Sequence, residues 1–501
     1  MKQKMKAPSR RQFLKRGALA ASGVAVCGCV FLVSPVARGA NVDYFSDNGF
    51  GKPLSTLQHP SGEHFKDTTY IAYQGPHEDA YVAAYNHAIK KWSGPVLAGV
   101  SPMGKTPDPV DNNEVDNHGK PAMMVDSKGY IHVVFGAHGG NPNLGKNNFG
   151  TPAGIGHGGK LTHLVSKNPE DITSWRVVDN ISPFGTYPQF VQMDDGDIYL
   201  FYRHGSHQSD WVYQKSSDDG LTFSSPVSVI KHKLQADGKL HDAWYAWFAK
   251  GKGDTITASY IYHPCSYPDH TKARLNVYYM KMNCADDSWE NAAGEKLIVS
   301  VTKEYADQKT LVINSGKNRC NHGTCRVDQE GHPHLLFRYE AGQVRYTRWT
   351  GNAWTEPVAV ISDGSASGQD GDMIVDSPTN VRMILMRNID GKNEVAWWKT
   401  ADGGKTWAKE PPLLSRPGGG FDIGALIENH TAEAMVVVSE GRVPEHLYRK
   451  MVLLGKDGPV QRAEAETSYI QKQLEILKKS GVKPTPKEER KAKKAKTGDD
   501  E

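Results

Sequence analysis

The chain is poor in cysteine, in net charge and in long apolar runs. It has six cysteines in 501 residues, and two of them, Cys27 and Cys29, sit in an apolar stretch near the N-terminus. A small scaffold held together by dense disulfides is therefore excluded. The formal charge is +4, yet residues 1–40 carry eight basic and no acidic side chains, so the remainder is net negative by four. That excludes a global basic field for nucleic acid, and any polyanion must be held by local Arg, Lys and His. Only Gly17 to Val36 approaches the length of a membrane span, which excludes a bundle of membrane helices.

The apolar stretch follows Ser9-Arg10-Arg11-Gln12-Phe13-Leu14-Lys15. This is a twin-arginine export signal, an address and not part of the fold. Residues 1–40 are thus expected to be removed, and the mature protein to be periplasmic or secreted after meeting the twin-arginine export machinery. A retained membrane anchor is the alternative.

Fifty glycines, 28 prolines and 46 aromatics favour an all-β chain with many turns. One unit recurs: an apolar strand, a polar turn with Asp or Gly, then an alternating strand. It spans Pro121–Phe135, Tyr187–Tyr202, Tyr245–Tyr262, Cys325–Phe337 and Asp372–Leu385, with fainter copies at Tyr70–Tyr85 and Phe421–Val438. Repeated hairpins of this kind are expected to be propeller blades, about seven of them. Ser216 to Phe223 and Thr400 to Trp407 both fit S/T-x-D-x-G-x-T-W/F, the Asp-box, a structural turn between outer strands. The predicted organisation is a propeller over 41–460, a helix over 461–482 with Tyr469, Ile470, Leu474 and Leu477 on one stripe, and a charged tail over 483–501.

Residues facing each other across a hairpin have numbers that sum to twice the turn centre, and they share a sheet face. This places Tyr187 opposite Arg203, His118 opposite His138, Tyr245 opposite His263, and Gln369 or Asp370 near Arg387. A His, Tyr and Arg cluster without two carboxylates argues against ordinary glycoside hydrolysis. It suits proton abstraction beside a carboxylate: an Arg stabilises charge on a uronate, and a Tyr or His takes or gives the proton. The cysteines after the signal are Cys265, Cys284, Cys320 and Cys325. They could form two disulfides, or His263, Cys265, Cys320, His322 and Cys325 could hold a metal. Spacing leaves both open.

The stretches Asp116-Asn-His-Gly-Lys-Pro121, Asp126 to His138, Thr186-Tyr-Pro-Gln-Phe190 and Phe201-Tyr-Arg203, with the first Asp-box, resemble the BNR-repeat proteins that include ulvan lyases of polysaccharide lyase families 24 and 25. The resemblance implies a seven-bladed propeller that cleaves an anionic, uronic-acid-containing sulfated polysaccharide by β-elimination. It implies catalytic roles for His138 and Tyr187, carboxylate neutralisation by Arg203, and a substrate-site role for Tyr245. His157 and His163 compete for a second family histidine. His118 and Arg387 are further substrate-binding candidates from the hairpin pairing. The resemblance also implies a structural zinc held by four of His263, Cys265, Cys320, His322 and Cys325, and no organic cofactor. A non-catalytic glycan-binding propeller and a sialidase-like hydrolase are the competing readings; the second lacks its N-terminal Arg-Ile-Pro-type motif.

Overall fold

The computed structural model describes residues 41–104, 115–154, 158–236, 238, 241–265, 274–321, 323–340, 342–366, 371–441, 446–463 and 469–480. The signal at 1–40 and the tail at 483–501 lie outside these residues, as do His157 and His322.

Each of the repeated units is an antiparallel hairpin: short apolar strands, most of them buried on both faces, are reversed by tight turns that carry Asp or Gly in all but the last unit. The pairs are Thr68–Gln74 with Ala80–Asn86, Ala122–Val125 with Ile131–Ala137, and Thr186–Gln192 with Ile198–Arg203. The series continues with His241–Lys250 and Thr255–His263, Cys325–Val327 and Pro333–Tyr339, Asp372–Val375 and Val381–Ile389, and Asp422–Thr431 and Ala434–Ser439. The arrangement is an all-β propeller with few helices. The propeller arrangement is found with four blades and not the seven expected, and its strands do not fall into seven separate sheets of one kind. Among the described residues two sheets have four strands, two have five, one has seven, one has nine, and one is a two-stranded pair. The nine-stranded sheet arises because a parallel bridge, Glu63 to Glu428, joins the first hairpin unit to the last. Strand Ser46–Phe50 pairs with Tyr448–Gly455, so the chain's start completes its final sheet and closes the ring.

Neighbouring inner strands are tied by buried polar side chains. Glu63 accepts from the Val125 amide (2.7 Å) and the Asn429 side chain (3.1 Å). Gln189 donates to the Ala246 carbonyl and accepts from the Phe248 amide. Arg326 binds Asp372 through two nitrogens (3.2 and 2.7 Å), and Asp372 also accepts from the Leu426 amide (2.9 Å). Burial forces each of these groups to find a partner, and bonds to charged groups are worth about 1.5–3 kcal/mol each. Burial, with help from the Glu428 carboxylate, pushes the Glu63 carboxyl up to about 8.

Both Asp-boxes form as turns. Asp218 accepts from Ser216 Oγ, the Thr222 amide and Thr222 Oγ1, and Asp402 repeats the pattern with Thr400 and Thr406. Gly220 has φ of 74°, and a Cβ there would lie 2.7 Å from the His132 ring, so the glycine is required twice over.

The C-terminal helix is shorter than expected, Tyr469–Ser480. Arg462–Ala463 instead pair with Asn41–Val42 as strands. The Arg462 guanidinium donates to the Phe45 and Gly94 carbonyls, which holds this segment extended. The helix begins where Asp47, distant in sequence, accepts from the amides of Tyr469 (3.0 Å) and Ile470 (2.8 Å), satisfying two open donors.

Candidate active site

Two hairpin ends and one loop bring the predicted residues together. His118 lies in the loop before strand Ala122–Val125, and His138 directly follows strand Ile131–Ala137. Their rings stack at 3.8 Å with an interplanar angle of 11°. The His118 ring also lies 5.6 Å from that of Tyr187, which lies 5.8 Å from Tyr245. The Arg203 guanidinium sits over both tyrosines, at 4.9 Å and 5.7 Å from their ring centres. His118, His138, Tyr187, Arg203 and Tyr245 therefore form one cluster.

Tyr187 reaches it through a defect in the ladder. Thr186 pairs with Arg203 and Gln189 with Phe201, so the register shifts between them, and Tyr187 has φ of 60°. A bulge re-aims a side chain that the regular pleat would send elsewhere. Left-handed backbone at a bulky residue costs roughly 1–2 kcal/mol, and such strain gathers at functional sites. Tyr245 pairs with Ile261 and not with His263. The true register differs from the expected one by two residues, an even slip that keeps the face, and the Tyr245 and His263 rings still lie 5.6 Å apart.

Arg203 is 1% exposed, and its Nε and Nη1 have no hydrogen-bond partner among the described residues. A buried cation with open donors suits a carboxylate guest. Burial, then the neighbouring Tyr245, pushes the Tyr187 hydroxyl well above its ordinary range. For Tyr245 burial acts in the same direction, but Arg274 and Arg203 outweigh it and bring the phenol down to about 8. His118 is held down to about 4 by burial and by the charge of His138, and is neutral near pH 7.

Two members were not singled out from the sequence. Asp116 meets His118 Nδ1 (2.5 Å) and His138 Nδ1 (2.8 Å). Its signal was the Asp-x-His spacing, in which the carboxylate also accepts from the His118 amide (2.9 Å). Arg274 donates to the Tyr245 hydroxyl (3.2 Å) and to Asn321 Oδ1 (3.0 Å). No spacing rule links it to Tyr245.

Other predicted residues go elsewhere. His163 is fully buried, hydrogen-bonded to His132 (3.0 Å) and Asn180 (2.8 Å) and packed on Phe190 and Phe223. The His138 amide binds the Gly158 carbonyl, and His163 lies five residues farther along the chain, roughly 17 Å at strand rise. It is a core histidine and not a substrate ligand. Arg387 pairs with Asp363 (3.0 Å) and lies over Trp398, with no contact to the cluster among the described residues. Its expected partners Gln369 and Asp370 lie outside those residues.

The four cysteines Cys265, Cys284, Cys320 and Cys325 are buried free thiols, so no disulfide joins them. Cys325 Sγ bonds to Thr257 Oγ1 (3.2 Å). Thr257 lies six residues before His263 on one strand, ~20 Å away at strand rise. Cys325 therefore cannot share a metal with His263. The Cys320 amide, by contrast, binds the Arg274 carbonyl beside the Tyr245–His263 pair. Among the described residues, two groups bring three metal-capable atoms within 4.8 Å, namely Asp116, His118 and His138, and Asp328, Glu330 and His332. Neither contains a predicted ligand.

Residues 153–361 match the model of a BNR repeat-containing family. An ulvan lyase of Alteromonas sp. (strain LOR) is 42% identical over 481 residues, covering 90% of this chain and 97% of that protein. Ulvan Lyase-PL25 of Pseudoalteromonas sp. (strain PLSV) is 41% identical, covering 88% and 92%. A solved structure of a PL25 ulvan lyase superposes with a TM-score of 0.79 at 40% identity, covering 85% of this chain and 98% of that one. A second such structure, with the same score, holds -[GlcA(1-4)Rha3S]-.

Proposed function

This chain belongs to the ulvan lyase family and is a polysaccharide lyase, and from that premise we propose that it cleaves ulvan by β-elimination at the cluster around Tyr187. The observation that carries the reading is the buried Arg203 with open donors beside two histidines and two tyrosines. Arg203 binds the uronate carboxylate and takes up the charge that develops as the C5 proton leaves. A neutral imidazole of the His118–His138 pair accepts that proton. The C4–C5 double bond forms as the C4–O bond to the leaving sugar breaks. Tyr187, kept protonated by its burial, gives its proton to the departing oxygen. No water enters the reaction. Sulfated rhamnose beside the uronate matches the saccharide in the PL25 neighbour.

The test is to incubate the mature protein with ulvan and follow the ultraviolet absorbance of the unsaturated uronate. A rise that Tyr187→Phe abolishes, with the fold intact, is expected. No rise on ulvan or on other uronic-acid polymers would overturn the reading.

Two further parts of the proposal rest on sequence and chemistry. Export follows the twin-arginine route to the periplasm or beyond, supported by Arg10-Arg11 and the apolar stretch after it. Changing both to Lys should leave the protein in the cytoplasm. A structural zinc would be held by His263, Cys265, Cys320 and His322. Cys265 and Cys320 are buried free thiols, a ligand type that zinc takes, and Cys325 does not fit. The metal would tie the strand bearing His263 to the segment bearing Cys320.

A further inference from the structure

We propose that Asp116 is a positioning residue that holds both histidines in one tautomer, with Nδ1 protonated and Nε2 bare, so that the pair presents lone pairs to the substrate. This rests on the lyase reading above. One carboxylate oxygen lies 2.5 Å from His118 Nδ1 and the other 2.8 Å from His138 Nδ1. An ionised carboxylate only accepts hydrogen bonds, so each Nδ1 must carry its proton. Burial works against ionising Asp116, but the two imidazoles outweigh it and hold the carboxyl well below its usual range. A neutral imidazole with Nδ1 protonated has its only lone pair on Nε2.

The rings stack at 3.8 Å, so protonating both would place like charges about 4 Å apart in a half-buried site. One carboxylate balances one added proton. The two histidines thus act as a single proton acceptor, which is what removal of one C5 proton requires.

The seat of Asp116 is rigid. Its amide donates to Glu78 Oε1 (3.1 Å), the Gln58 side chain donates to the His118 carbonyl (3.0 Å), and the Lys52 amide donates to Asn117 Oδ1 (2.9 Å). The carboxylate therefore joins a clamped loop, through His118, to a strand end, through His138. Neither ring can turn without losing its bond to Asp116.

Asp116→Asn separates this role from simple packing. Asparagine has the same shape but offers one acceptor oxygen and one donor nitrogen toward the two rings. One imidazole must then switch its proton to Nε2, which blocks its lone pair. The expected result is a kcat lowered about 10²-fold, KM within about threefold, and an unchanged melting temperature. In histidine-labelled protein, nitrogen NMR should show Nδ1–H on both rings in the wild type and a switched ring in Asp116→Asn. Asp116→Ala should lose more, because both rings are freed. A kcat for Asp116→Asn within twofold of wild type, or an Nε2–H tautomer on either ring of the wild type, would overturn the proposal. If the wild type released no unsaturated uronate, the lyase reading would fall, and the tautomer spectra would still decide for or against Asp116.

Discussion

Glu63 should make the ring less stable as the solution becomes more alkaline. Its carboxyl sits at the bridge between the first and last units, opposite Glu428 and held by the Val125 amide and Asn429. Burial and the neighbouring Glu428 raise it from 4.5 to about 8. A raised folded value means that the folded state keeps a proton the unfolded chain has released. The stabilisation is complete below pH ~4.5 and is lost as pH rises through ~8. A tenfold change in proton affinity corresponds to about 1.4 kcal/mol, so the whole span amounts to ~5 kcal/mol. Unfolding entropy for roughly 460 residues is about 1 kcal/mol per kelvin, so the melting temperature should fall by about 5 °C over this window on account of Glu63 alone. Glu63→Gln keeps the shape and an acceptor for the Val125 amide, and it removes the titration. Calorimetric melting of both proteins from pH 5 to 8.5 isolates the effect as the difference between their slopes. Parallel curves would refute the reasoning.

Arg203→Lys should act like a deletion, lowering kcat/KM by ~10²–10³-fold, because a lysine cannot reproduce the planar fork; steady-state kinetics on ulvan measure it. Asp218→Ala in the first Asp-box should cost about 1–2 kcal/mol in denaturant unfolding while leaving kcat of the folded protein unchanged, since Asp218 bonds only to its own turn. On the zinc proposal, elemental analysis should find the metal in the wild type and in Cys325→Ser, whose thiol is engaged with Thr257, and not in Cys320→Ser, which should also melt lower.

Much of the scaffold was legible because its determinants are local. Short apolar strands and Asp- or Gly-bearing turns marked most of the hairpins, and the Asp-box residues bond within their own turns. Hairpin arithmetic brought His138, Tyr187 and Arg203 to one end of the sheets, although Arg203 pairs with Thr186 and not, as expected, with Tyr187. It brought His118 there as well, although that residue lies in a loop and not in a paired strand. His163 departs from expectation because a histidine near a site in sequence can lie several residues along a strand from it. There His132 and Asn180 satisfy it in the core. The helix starts later than its pattern predicts because its cap, Asp47, comes from the far end of the chain.

By itself the sequence determined the strands, the turns, the twin-arginine motif and the residue types that suit β-elimination, since each depends on neighbours within a dozen positions. Tertiary structure decided which polar groups meet. The bulge at Tyr187, the carboxylate of Asp116 shared by two histidines, and Arg274 on the Tyr245 hydroxyl all depend on close approach across strands and loops. A one-residue change of register redirects a side chain to the other face. The joining of the first and last units at Glu63 and Glu428 was likewise settled only when the ring closed, because it requires both ends of the chain in one sheet.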